Sequence, residues 1–235
     1  MLAVIFGGSF VVFGVGSEVP GGIADVLQGR SGSDEPSSAD ARKKLAAKPN
    51  DATALRELAT ALQREGRAEQ AIAPLERYTR QRPNDTQATS ELASLYITKA
   101  TRLRNEAGIV QAQSQVVVPP SDFLPPATSP LGSALGAEPI RKTIEERTQE
   151  RLAALYDDLQ QAFAAAQRTY VQLARQSPED ASIQLQLADA AVNAGDVTTA
   201  LAAYRRFLRL APDDPNAPLV RETIKQIQRS RSPGG

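Results

Sequence analysis

The chain has 235 residues, 41% apolar and 23% charged, with 27 basic against 27 acidic side chains. It can therefore bury a core, and no net charge draws it to nucleic acid or an anionic surface. His, Cys and Trp are absent, which excludes thiol nucleophiles, disulfides, imidazole bases and the usual zinc ligands.

Residues 1–16, MLAVIFGGSFVVFGVG, carry no charged side chain and hold half of the chain's six Phe. A spanning helix needs about 20 apolar residues, so the run reads as a single-pass N-terminal anchor only if it extends past Glu18 or upstream of Met1. No basic flank and no small-x-small cleavage site favour a removed signal peptide. The absence of Lys and Arg between this run and Arg30 places the bulk of the chain outside the cytoplasm, since cytoplasmic flanks collect positive charge. Residues 17–37, rich in Gly, Ser and Pro, read as a flexible linker.

From Ser38 the spacing turns helical. A half-unit up to Lys48 precedes a helix over 52–64, which Asp51 caps and Gly66 ends, and a second helix over 68–81, which Pro83 stops. Leu58, Leu62 and Leu75 fill the seam between them, with Ala59 and Ala71 allowing close approach. The next unit opens in the same way behind Asp85, with Leu92, Ala93 and Tyr96, but Ala100 stands where the turn glycine belongs. The apolar spacing continues through Leu103, Ala107 and Val110, so this helix runs on. Its return partner comes late: Leu152, Leu155 or Tyr156, Leu159, Phe163, Ala166, Tyr170 and Leu173 alternate in threes and fours on a long helix entered near Pro139 and closed by Pro178. The two arms read as an antiparallel hairpin with an insertion over 101–161. Its tip, 115–138, is proline-rich and disordered, and presents Phe123 and Leu124 as possible contacts.

A third unit restores the design with Leu187, Ala188, Ala191, Gly195, Ala200, Tyr204, Phe207 and Pro212. A last helix from about Pro218 to Arg229 puts Val220, Ile224 and Ile227 on one face and covers the open end, before a disordered tail over 230–235. The prolines keep the register: Pro49 and Pro83 are 34 residues apart, as are Pro178 and Pro212, while Pro83 to Pro178 is 95, one period plus 61.

A period of 34 residues built from paired amphipathic helices resembles the tetratricopeptide repeat family. Trp is missing from the helix-opening slots, which hold Leu55, Thr89 and Gln184, and Ala59, Ala93 and Ala188 replace the common glycine. The resemblance implies an all-α fold: a right-handed superhelix of about three helix pairs plus a capping helix, the middle pair extended into the long hairpin. It also implies a domain over 38–229 that binds a protein or peptide partner on its concave side, through Arg56, Thr60, Gln63, Ser90, Ser94, Gln186, Asp189 and Asn193. Some members clamp a terminal carboxylate with Lys and Asn at such places; Thr60, Glu91 and Asp189 intrude here, so that ligand is not implied.

Other patterns carry little chemistry. Glu145-Glu146, Asp157-Asp158 and Asp213-Asp214 are neighbours pointing about 100° apart on a helix, not dyads. From Arg205 onward seven basic residues face three acidic ones, but no aromatic platform accompanies them, and nucleic acid is not an expected partner. No phosphate loop or nucleophile elbow occurs. The expectation is a non-enzymatic, membrane-tethered adaptor without metal or cofactor, serving envelope protein assembly or quality control. The alternative is a homo-oligomeric spacer built on the hairpins.

Overall fold

The computed structural model describes residues 36–116, 129–130 and 137–231. The chain divides into Met1–Glu35 and Pro36–Gly235, and all described residues belong to the second unit. The expected anchor over 1–16, all but the last two residues of the linker, and Phe123 and Leu124 of the tip lie outside the described residues. Among the described residues no helix is long and apolar enough to cross a membrane.

Those residues form eight helices and no strand: α1 (Ser38–Ala47), α2 (Ala52–Arg64), α3 (Ala68–Gln81), α4 (Thr86–Val116), α5 (Ala137–Gln176), α6 (Ala181–Asn193), α7 (Val197–Leu210) and α8 (Ala217–Arg231). α4 and α5 each take two residues from the span expected for the tip, and α8 takes two from the expected tail.

Most starts are set by one short polar side chain. The carboxylates of Asp51, Asp85 and Asp196 accept from the backbone N–H of Ala54, Ala88 and Thr199 at 3.1, 2.9 and 3.0 Å. Asp180 accepts from Ser182 and Ile183, and Ser37 from Asp40. Each satisfies a donor that the first turn would leave unpaired. Two ends are set by glycine: Gly66 at φ 72° and Gly195 at φ 79° occupy the left-handed region, where a side chain would strain against its own backbone. The turns are copies of each other, since Arg67 N–H donates to Leu62 O and Asp196 N–H to Ala191 O, both at 2.8 Å.

At Ala100 no such turn forms. The residue is fully buried, and α4 continues through Leu103, Ala107 and Val110, which pack against Leu155, Leu159, Ala162 and Phe163 of α5. The two helices run in opposite directions. Pro83 O accepts from Gln172, Glu106 meets Arg151 at 3.0 Å, and Arg104 lies over the Phe163 ring at 5.1 Å, with Ala93 and Ala166 sharing a core cluster. At 1.5 Å per residue, the 31 residues of α4 reach about 46 Å.

A device that the apolar pattern does not show ties each pair to the one before. Six residues ahead of the closing proline of each pair stand Arg77, Gln172 and Arg206, and each donates to the carbonyl of the preceding proline: Arg77 to Pro49, Gln172 to Pro83 at 3.3 Å, and Arg206 to Pro178 at 3.1 Å. The end of α5 therefore holds the same station as the ends of α3 and α7, despite the 61 intervening residues. The helix-opening slots without Trp are buried all the same: Leu55 and Thr89 fully, Gln184 at 5% exposure. The Thr89 hydroxyl is satisfied by Asp85 O at 2.8 Å.

Both ends of the stack are closed. α1 is anchored where Ser38 donates its N–H and hydroxyl to Glu65 at 3.1 and 2.8 Å. α8 buries Ala217 and Val220 in the core of α6 and α7, with Ile224 and Ile227 packed behind them, as a terminal repeat requires.

Candidate partner-binding site

Helices α2, α4 and α6 open the three pairs and carry the eight residues expected to face a partner. Counting from the proline before each pair, Thr60, Ser94 and Asp189 share one register, eleven residues on. Thr60 and Ser94 are exposed and Asp189 is half-buried. Arg56 and Ser90 share another register, whose third member is Leu185, half-buried against the core; the expected Gln186 is its exposed neighbour.

The structure joins α2 to α4 through Glu91. Arg56 Nη1 lies 2.6 Å from Glu91 Oε2, without the alignment of a hydrogen bond, and Gln63 donates to Glu91 and to Ala59 O. Arg56 also stands over the Tyr78 ring, 5.9 Å from its centroid. Tyr78 in turn donates its hydroxyl to Asp85 at 2.7 Å. The Ala88 N–H, then the Tyr78 hydroxyl, hold the Asp85 carboxyl below its usual range, while the same contact raises the phenol. Around these groups opens a cleft of about 690 Å³, with Thr53, Arg56, Tyr78, Arg82, Asn84 and Asp85 in its walls. It mixes one aromatic face with both charge signs, which suits a peptide segment with polar side chains better than an apolar ligand.

The other end of the face is built on tyrosine. Asp189 Oδ1 accepts from the Tyr204 hydroxyl at 2.7 Å, and one pair earlier Ser94 neighbours Tyr170 in the same register. Burial pushes the Asp189 carboxyl above its ordinary range, against the pull of Tyr204. Burial likewise raises Tyr170 and Tyr204, and the Asp189 charge raises both further. Asn193 donates to Asp189 O at 2.8 Å and accepts from Arg104 of α4 at 2.9 Å.

The eight expected residues are thus not one constellation. Arg56 and Gln63 meet at Glu91, Asp189 and Asn193 form a second group, Ser94 donates to Ser90 O at 3.0 Å, and among the described residues no side-chain hydrogen bond or ion pair ties Thr60 or Gln186 to either group. Sequence reasoning places Tyr204 in the packing pattern and passes over Tyr78; the signal for their polar role is a phenol on the second helix of a pair facing an acid. Among the described residues no group of His, Cys, Asp or Glu could hold a metal ion.

Stacked helix pairs presenting one polar face define a helical-repeat protein. A family model described as "Tetratricopeptide repeat" matches residues 37–86 and 151–215, so the fold is tetratricopeptide-like, and the gap between the matches, 87–150, falls within the overlong pair. Among solved structures the chain is similar to YrrB, described as a TPR protein with an unusual peptide-binding site, at 12% identity and a TM-score of 0.25, covering 79% of this chain and 100% of that one. No curated protein matches.

Proposed function

We propose that the chain is a tethered adaptor that holds a polypeptide along the face of α2, α4 and α6. The pairs α2–α3, α4–α5 and α6–α7 form a right-handed superhelix, and α4 and α5 project from it as a hairpin. Residues 1–16 anchor the chain in a membrane, with the repeats on the extracytoplasmic side, where the partner is assembled or inspected. The observation that supports this reading is the cleft of about 690 Å³ between the start of α2, the end of α3 and the loop into α4, which has Arg56 of the proposed face in its wall. Co-purification tests it with the full chain and an Arg56→Glu plus Asn193→Ala variant. Partners are expected to be lost, and an unchanged set overturns face binding. Loss of membrane association on starting the chain at Ser38 tests the tether.

A second reading, a homo-oligomeric spacer, draws on Ile109 and Tyr156, which stand 58% and 48% exposed on the overlong pair. A mass in solution that is strictly monomeric removes it. A multimer that dissociates in an Ile109→Lys plus Tyr156→Lys variant supports it.

A further inference from the structure

The charges along the proposed face are not balanced in the same way at its two ends. At the α2 end Arg56 is paired with Glu91, and on the flank of α2 Glu57 is paired with Lys44 at 2.7 Å. At the α6 end Asp189 has the Tyr204 hydroxyl and no cation: among the described residues no Lys or Arg lies within ion-pair distance of it. Arg104, the α4 cation that reaches α6, is held on Asn193 and over the Phe163 ring.

The surroundings of Asp189 are otherwise neutral. Tyr204 comes from α7, Tyr170 from α5, and Ser94 from α4. Tyr204 engages Oδ1 of the half-buried side chain, and among the described residues no hydrogen bond reaches Oδ2. Thr60 and Ser94, in the same register on the earlier pairs, are exposed and uncharged, so a partner lying along the face meets one unneutralised charge on this row.

We infer that Asp189 is the specificity-determining contact of the face, receiving a Lys or Arg side chain of the bound polypeptide on its free carboxylate oxygen, with Tyr204 holding the other oxygen in place. This inference rests on the face-binding reading and names the class of partner it takes: a segment with a basic residue flanked by small or polar ones. The physical ground is charge complementarity. A carboxylate partly withdrawn from water gains more from an arriving cation than an exposed one does. The upward push of burial on the Asp189 carboxyl is consistent with a charge that lacks a partner.

The test pans a displayed random dodecapeptide library on the immobilised full chain, then measures the selected peptides against two variants. Asp189→Asn keeps the acceptor for Tyr204 but removes the charge. Thr60→Tyr plus Ser94→Tyr fills the face with neutral bulk, and circular dichroism melting confirms that each variant is folded. The expected result is a shared Lys or Arg among peptides that the tyrosine variant rejects, and binding about tenfold weaker to Asp189→Asn, equivalent to about 1.4 kcal/mol. Replacing that Lys or Arg by norleucine produces the same loss, with no further loss when the two changes are combined. Peptides rejected by the tyrosine variant yet indifferent to Asp189→Asn overturn the inference while leaving the face-binding reading intact. Peptides indifferent to both variants, or no selected peptides at all, overturn both.

Discussion

The pairs α2–α3 and α6–α7 differ from α4–α5 at one register. Seventeen residues after the leading proline stand Gly66 and Gly195 in the flanking pairs and Ala100 in the middle one. Each glycine adopts a positive φ and turns the chain back after a helix of 13 residues. With Ala100 the same helix runs to 31 residues. The loss of the glycine is only half of the cause. Leu103, Ala107 and Val110, beyond it, have a partner in α5, so continuing buries apolar surface that a turn would leave in water. Repeat length is thus set jointly by one backbone conformation and by whether the next residues have something to pack against.

The sharpest way to break that comparison is to hollow each region. Phe207→Ala and Phe163→Ala remove side chains that are 1% and 5% exposed in separate core clusters, and each is expected to lower stability by about 3–5 kcal/mol. The pattern should differ. Hydrogen exchange is expected to quicken after Phe163→Ala in α4 beyond Ala100 and in the facing part of α5 while α2 and α3 keep their protection, whereas Phe207→Ala loosens α6 to α8. Uniform loss of protection in both variants would mean that the long pair is not a separable layer.

Exchanging the register residues gives a smaller effect. A Cβ at Gly66 would meet nothing within 4 Å, so Gly66→Ala is expected to cost only the backbone strain of a left-handed residue, roughly 1–2 kcal/mol, read from the urea midpoint. Ala100→Gly is expected to cost about 2 kcal/mol, helix propensity plus one buried methyl group, without breaking α4, because the seam beyond it persists. A helix that ends at residue 100 in NMR chemical shifts would show that glycine alone dictates the turn.

The smallest effects separate the two ends of the proposed binding face by the sign of their pH dependence. Asp85 has a folded pKa below the ordinary 3.8, so its contribution is present above that value and disappears as the pH falls through the folded one. Asp85→Ala is therefore expected to cost about 1 kcal/mol at neutral pH, with the gap to wild type closing in acid. Asp189 has a folded pKa above 3.8, so the folded state binds the extra proton and wild type loses stability as the pH rises from 3.8 through the folded value. Relative to wild type, Asp189→Asn should gain stability over that rise. Urea midpoints of both variants between about pH 3 and pH 7 check the two opposite slopes.

Much of the fold was legible in one dimension because its determinants are local. Asp51 and Asp85 ahead of helical spacing, Gly66 and Gly195 at matched distances, and prolines at a constant stride act through backbone groups a few residues away. The overlong pair was legible too, since apolar residues in threes and fours need only a partner of the same period. The proposed binding face appears in the sequence as a set of registers and not as a set of contacts. Periodicity says that Arg56 and Asp189 lie on opening helices; it does not say that Arg56 is claimed by Glu91 while Asp189 is met by a phenol.

Sequence alone settled where helices begin and turn, and that their pairs repeat, because capping, left-handed glycine and apolar period act within one or two turns of chain. Only the tertiary structure decided which charge on the face is neutralised from within. It also showed that Arg77, Gln172 and Arg206 each reach back to the preceding proline carbonyl, contacts that span 28 residues in the flanking pairs and 89 in the middle one. Such contacts depend on where the stacked helices place side-chain tips, which no local spacing encodes.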